Sequence, residues 1–159
     1  MRSLTVILLL GVFALAGNTL CAASAPPLPA GRIVKVLPFF LDTNNVVAPS
    51  PSLFDRDAYQ FYLLDHTNDI SGMRFDVLWK AHRARGLKLT IRVELRGVGP
   101  GGLPRQTVLE KSVTPKLFHH WASLTLNGSA WRDFGTLAAW RATLWNGNQL
   151  LGNQQSFLW

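Results

Sequence analysis

The fold is decided by residues 72–96, which read GMRFDVLWKAHRARGLKLTIRVELR. Apolar side chains occupy every second position of this stretch, first from Met73 to Trp79 and again from Leu87 to Leu95. Successive side chains of a β-strand point to opposite faces of its sheet, so a period of two indicates strands with one dry and one wet face. We therefore predict two strands here, joined by a loop centred on residues 82–86.

Charge predicts how these two strands would pair if they formed a hairpin. Pairing Trp79 with Leu89 places unlike charges opposite each other on the wet face, whereas a slip by two residues would oppose like charges. Unlike pairs stabilise two adjacent strands by about 0.2–1 kcal/mol each. The predicted pairs are Asp76 with Arg92 and Arg74 with Glu94.

The rest of the chain carries further short strand patterns. They cover residues 32–41, 106–113, 121–126, 137–145 and 149–158. Pro38 confines the first of them to the edge of a sheet or ends it early, because proline cannot donate a ladder hydrogen bond. Asn146-Gly147 joins the last two patterns and predicts a tight hairpin, with either a two-residue or a three-residue loop.

One helix is predicted, and it begins after Ser52. Ser52 and Asp55 match the capping pattern in which side chains satisfy the free N–H groups at a helix start. A stripe of apolar residues follows at helical spacing, and we expect it to pack onto the sheet. Its members are Phe54, Ala58, Phe61 and Tyr62.

These elements predict an all-β fold. About seven strands, with one short helix between the first two, fit an antiparallel β-sandwich of immunoglobulin or fibronectin type III kind. The Cys…Trp…Cys pattern of immunoglobulin domains is absent, so this likeness is one of architecture alone. We expect most tryptophans in the core, Trp79 among them, and we expect Phe157 and Trp159 to fix the last strand there.

The N-terminus predicts export. A basic start at residues 1–3 precedes an apolar run over 4–16 and small residues at 22–25, the order of a secretory signal peptide. The apolar run is too short to cross a bilayer, which takes about 20 residues. We therefore expect a signal peptide over 1–23, a proline-rich linker over 24–31 and one domain over 32–159, exported to the periplasm or the extracellular space without a transmembrane helix.

The residues offer no recognisable catalytic, cofactor or metal motif. His119 and His120 would point to opposite faces of a strand, and Asp55 and Asp57 would diverge on a helix. The leading interpretation is therefore a non-enzymatic module with a binding or structural role at the cell envelope. Two alternatives stay open. One is a small carbohydrate-active hydrolase or lyase with a site built from loops. The other is a small outer-membrane β-barrel, a class that often ends on an aromatic residue.

The charge balance indicates the kind of partner. The sequence has 16 lysines and arginines against 9 acidic residues, which suits an anionic envelope polymer, a glycan or an envelope protein. We find no specific nucleic-acid motif. The contacts are expected from the loops at one end of the sandwich, around Arg83, Arg85 and Trp131, or from a strand edge that extends a partner's sheet. Trp131 beside Arg132 could stack on a sugar ring or a base. The candidate contact residues are Arg83, Arg85, Lys88, Arg96, Trp131 and Arg132.

Overall fold

The structure, a computed structural model, describes residues 28–116 and 119–159. The predicted signal peptide and residues 24–27 of the predicted linker lie outside the described residues. The elements are β1 Ala30–Asp42, α1 Leu53–Asp65, β2 Ile70–His82, β3 Leu89–Val98, β4 Pro104–Val113, β5 His120–Asn127, α2 Gly128–Phe134, β6 Thr136–Asn146 and β7 Gln149–Gln155. Within the described residues, seven strands with a helix between the first two match the prediction, and α2 is a second helix that the sequence analysis did not predict.

The strands form two antiparallel sheets. One has the order β1-β2-β5 and the other the order β4-β3-β6-β7. The predicted all-β, sandwich-like architecture is therefore confirmed. The first strand lies at a sheet edge, as Pro38 predicts, and β1 continues through that proline.

The predicted hairpin of β2 and β3 is wrong. The strand β2 lies between β1 and β5, and β3 lies between β4 and β6, so the loop over 83–88 carries the chain from one sheet to the other. The dry faces are nevertheless those predicted from the alternation, since Phe75, Val77, Ile91 and Val93 are fully buried. Apolar faces can cover each other across a sandwich as well as lie side by side in one sheet, and the alternation does not distinguish the two arrangements.

The charged residues of the wet faces also have other partners than predicted. Arg74 pairs with Asp76 of its own strand, and Arg92 pairs with a carboxylate on β4. The observed ion pairs are Arg74–Asp76 at 2.8 Å, Arg92–Glu110 at 2.7 Å and Arg141–Glu94 at 2.6 Å. Unlike charges are available on several strands, so favourable charge pairs are possible in more than one strand pairing.

The core fills the space between the sheets. Trp79 is 2 % exposed, and together with Phe75 it is among the largest side chains that are fully buried there, as predicted. Trp131 and Trp140 pack against this core from its margin, whereas Trp121 stands half exposed on β5. Trp145 and Trp159 lie against arginine side chains outside the core. The prediction that most tryptophans fill the core is therefore wrong, because Trp79 is the one among the buried core residues.

The helix α1 begins as predicted but packs through another face. The N–H of Asp55 donates to Ser52 Oγ at 3.4 Å, which confirms the cap. The predicted apolar stripe is wrong, because Phe54 is 81 % and Phe61 is 68 % exposed, while the buried residue of the helix is Leu63. Polar anchors decide the orientation of the helix.

The strongest anchor is the side chain of Gln60. Its Oε1 accepts the N–H of Phe40 at 2.7 Å, and its Nε2 donates to the carbonyl of Phe40 at 3.0 Å and to that of Val47 at 2.8 Å. A single amide thereby satisfies both backbone groups of Phe40 at the outer edge of β1, where no strand pairs with them, and one carbonyl of the loop that follows β1. A helix turned to bury its aromatic stripe would lose these three hydrogen bonds.

The C-terminal aromatics lie outside the core, so that prediction is wrong as well. Pairing of β7 ends at Gln155, and Phe157 beyond it is fully exposed. The Trp159 ring lies against the guanidinium groups of Arg96 and Arg141, at 4.0 and 4.7 Å from its centroid. The chain leaves the sheet before the aromatic residues are reached, and Trp159 covers cations instead of apolar side chains.

The last hairpin is confirmed. Asn146 pairs with Gln149, so the loop has two residues, Gly147 and Asn148. Gly147 adopts a φ of 54°, in the left-handed region that glycine tolerates without strain.

Candidate functional sites

One end of the sandwich is basic. The start of β1, the β2–β3 loop and the β4–β5 loop meet there, because Arg32 of β1 is the register partner of Lys80 of β2 and the two loops line one recess. We call this surface the basic end and define it by six residues. They are Arg32, Lys80, Arg83, Arg85, Lys88 and Lys116.

A recess of about 400 Å³ lies in the basic end. Arg83 and Arg85 reach it from the β2–β3 loop, and Lys116 reaches it from the β4–β5 loop. Ala84, between the two arginines, is 1 % exposed and anchors its loop in the core, which leaves both neighbours at the surface. Arg83 adopts a φ of 55°, an uncommon conformation for a residue other than glycine.

The electrostatics of this end are of one sign. The described residues that build it are 30–35, 77–91, 111–116, 119–122 and 143–151, and they include no aspartate or glutamate. Within residues 28–116 and 119–159, the six residues of the basic end form no ion pair, and the arginines that do form one are others. Uncompensated charges of one sign around a concave surface raise the local potential and attract anions.

The structure brings together only some of the predicted contact residues. Arg83, Arg85 and Lys88 share the basic end, but Trp131 follows β5 at the opposite end of the sandwich. About ten residues of β2 separate the two ends, which corresponds to about 33 Å of extended chain. The prediction that Arg83, Arg85 and Trp131 lie at one end is therefore wrong.

The reason is the alternation of strand direction. In antiparallel sheets consecutive loops emerge at alternate ends, so the β2–β3 and β4–β5 loops share one end and the β5–β6 connection lies at the other. The sequence analysis missed Lys116. Counting loops along the predicted strand order would have placed Lys116 at the same end of the sandwich as Arg83. Arg96 is also far from the basic end, near the close of β3, where it lies under Trp159.

The other end carries both helices, and we call it the helical end. Trp131 and Arg132 lie there in α2, a short helix where the sequence suggested a loop. The Trp131 ring is half-buried and lies 6.4 Å from the ring of Phe134, which is itself in the core. Two neighbouring recesses share Ile70, Trp131 and Arg132 as walls.

The two recesses differ in polarity. The first, of about 470 Å³, is mostly apolar, and its further walls include Phe40, Leu64, Met73 and Leu137. The second, of about 420 Å³, is lined by hydroxyl and amide side chains, which are Thr43, Ser71, Asn45, Asn68 and Asn127. Arg132 is the charged side chain common to both, and among the described lining residues no carboxylate faces either recess.

The polar recess is held in shape by Asp42. Burial opposes ionisation of Asp42, but hydrogen bonds from the N–H of Val46, the hydroxyl of Tyr59 and the N–H of Asn44 outweigh it, so the pKa of Asp42 is lowered. These bonds fix the turn that presents Asn45, whose φ is 60°. The same contact raises the pKa of Tyr59, because its hydroxyl donates to the Asp42 carboxylate.

His82 lines the recess of the basic end together with Arg83, and no other histidine is among the wall residues of the three recesses described above. His120 lies in β5 beside Trp79, with ring centroids 5.9 Å apart, and His119 precedes the strand. Among the residues that the structure describes, no three histidine, cysteine, aspartate or glutamate side chains are grouped as a metal site would require. In the same part of the chain, neither helix has the length and apolar character needed to span a membrane.

The two ends of the sandwich therefore differ in their chemistry, with cations at one and apolar and amide groups at the other. Comparisons with protein-family models, with curated proteins and with solved structures found no match for this chain.

Proposed function

We propose that this chain is an exported, non-enzymatic β-sandwich module that binds an anionic polymer or glycan of the cell envelope through its basic end. The observation that carries the proposal is the convergence of Arg83, Arg85 and Lys116 on one recess, at an end built without carboxylates. Export is supported by the basic, apolar and small residues in order over 1–25.

The position of β4 supports a fibronectin type III-like subtype. In constant-type immunoglobulin domains the fourth strand belongs to the sheet of the first, second and fifth strands. Here β4 pairs with β3 instead, which leaves three strands in one sheet and four in the other. We infer that the module is closer to the fibronectin type III arrangement.

The basic end suits a polymer better than a compact anion. All of its cations except the half-buried Lys80 are exposed, and they come from three separate segments of the chain, so a ligand that touches several of them must extend across the surface. Each exposed contact contributes little and is screened by salt, and affinity grows with the number of contacts. We therefore expect weak individual contacts and a steep dependence of binding on salt concentration.

The test measures binding of the purified exported protein to fluorescently labelled polyphosphate and to a carboxylated polysaccharide, with neutral dextran as the uncharged probe. In the variant R83Q/R85Q two cations of the basic end are removed. The matched control R96Q/R105Q removes two exposed cations near the opposite ends of β3 and β4, so both variants have the same net charge.

We expect R83Q/R85Q to weaken binding at least about fivefold at low salt and to flatten the slope of log Kd against log salt by about one unit or more. The control should keep most of the affinity, and dextran should not bind. Equal losses in the two variants would show that only net charge matters and would contradict the proposal.

A further inference from the structure

The two recesses of the helical end adjoin each other, since Ile70, Trp131 and Arg132 line both, and we treat them together as one groove with an apolar half and a polar half. Walls come from β1, α1, the start of β2 and the α2–β6 segment, so the groove exists only in the folded protein. Ile70 and Trp131 mark the boundary between the halves, and Arg132 lines both. The apolar half, at about 470 Å³, has the size of small-molecule sites.

We propose that this groove binds a soluble, single-chain amphiphile with an anionic head. The apolar tail occupies the half lined by Phe40, Met73 and Leu137, and the head lies in the polar half beside Arg132. The site is separate from the basic end, about 33 Å away along β2, and it does not depend on the proposed polymer binding.

The charge of the head follows from Arg132. It is the charged side chain among the described walls of either half, and it forms no ion pair within residues 28–116 and 119–159. A guanidinium presents forked donors that match a carboxylate or a phosphate. A cationic head would meet Arg132 with no carboxylate on the described walls to offset the repulsion.

The polar half supplies neutral groups for the rest of the head. Asn127 Nδ2 donates to Asn45 Oδ1 at 3.2 Å, which aligns the two amides at the wall of the recess. Asn45 is itself fixed by the turn that Asp42 holds. Amides positioned in this way can hydrogen-bond head-group oxygens with little loss of conformational entropy.

The exposed face of α1 gives the tail room to extend. Leu64 is more than half exposed and forms part of the apolar half, and Phe61 lies next to it on a shallow groove that also includes Phe40. These residues continue the apolar surface outward from the recess. A tail longer than the recess can therefore stay in apolar contact along α1. This contact would give a role to the exposed ring of Phe61.

The experiment uses decyl phosphate below its micelle concentration, with binding measured by titration calorimetry. Decyl trimethylammonium tests the charge of the head, inorganic phosphate tests the tail, and decanol tests the need for any charge. Vesicles containing the same phosphate head group distinguish a monomeric amphiphile from a membrane surface.

Two variants locate the site. R132Q removes the cation, with R105Q as the control for an exposed arginine elsewhere. T136F fills the apolar half from an exposed position, and A138F places the same ring two residues along β6, outside the recess. Folding of each variant is checked by urea unfolding.

We expect decyl phosphate to bind the wild type and R105Q with the same affinity. R132Q should weaken this binding at least tenfold. T136F should abolish the binding, and A138F should not. The variant R83Q/R85Q should bind it as the wild type does, which separates this result from that of the polymer experiment. The proposal would be overturned if R132Q and T136F left binding unaffected, or if the cationic amphiphile bound equally well. It would also be overturned if the protein bound vesicles alone, or if the folded wild type did not bind decyl phosphate.

Discussion

Replacing Gln60 by alanine should loosen α1 from the edge of β1. The Gln60 amide makes three hydrogen bonds to the backbone of Phe40 and Val47, at 2.7–3.0 Å. A lost bond costs about 1 kcal/mol where water can replace the partner and up to about 3 kcal/mol where it cannot. These groups are partly buried, so we expect the free energy of unfolding to fall by about 2–4 kcal/mol.

The assay is urea unfolding followed by tryptophan fluorescence. With a slope of about 2 kcal/mol per molar urea, the midpoint should fall by about 1–2 M. The control Q106A changes an exposed glutamine of β4 and should stay within about 0.5 kcal/mol of the wild type. Q60E keeps the acceptor for the Phe40 N–H, but its second carboxylate oxygen would face the carbonyl oxygens of Phe40 and Val47, so its midpoint should be no higher than that of Q60A. If Q60A unfolds like Q106A, the helix is held by something other than this amide, and the reasoning fails.

Three further perturbations have defined outcomes. The pKa of Asp42 is lowered in the folded state. Its contribution to the free energy of unfolding is therefore present above the unfolded pKa of about 3.9 and is lost as the pH falls through the folded pKa. D42N should remove this part of the acid dependence, which urea unfolding between about pH 2 and 6 would measure. F75A should lower the free energy of unfolding by about 3–5 kcal/mol, because it opens a cavity at a fully buried site. W159A should lower it by only about 0.5–2 kcal/mol, because the ring covers Arg96 and Arg141 at the surface, and thermal unfolding would check this.

Much of the fold could be predicted from alternation and turn residues. The period of two identified β2 and β3 and their buried faces, Ser52 identified the helix start, and Asn146-Gly147 identified the last hairpin. These features are local, since each depends on neighbours in the chain. Strand pairing depends on competition among all strands, and two unlike charges were too weak a guide to decide it.

The orientation of α1 shows a second limit. A stripe of aromatic residues normally marks the buried face of a helix. Here the side chain of Gln60 hydrogen-bonds the backbone of Phe40 at the free edge of β1 instead of solvent. Leu63 is the apolar residue of the helix that is buried. The sequence of α1 contains both an aromatic face and the face with Gln60 and Leu63. Only the position of the unpaired edge of β1 shows which of these faces is buried.

The candidate sites were predictable in part. Arg83, Arg85 and Lys88 could be identified because they follow each other closely in one loop. Lys116 could not be, because its approach to that loop depends on which ends of the sandwich the loops occupy. The groove beside Trp131 is lined by residues from separate segments of the chain, so no local sequence pattern predicts it.

The most direct test of the central claim is a map of amide chemical-shift changes on titration with polyphosphate. We expect changes confined to residues 80–88 and 112–116 and to the start of β1, and we expect them to disappear in R83Q/R85Q. Changes centred on the outer edge of β4 or on the helical end would contradict the claim that the cations around Arg83, Arg85 and Lys116 are the binding surface.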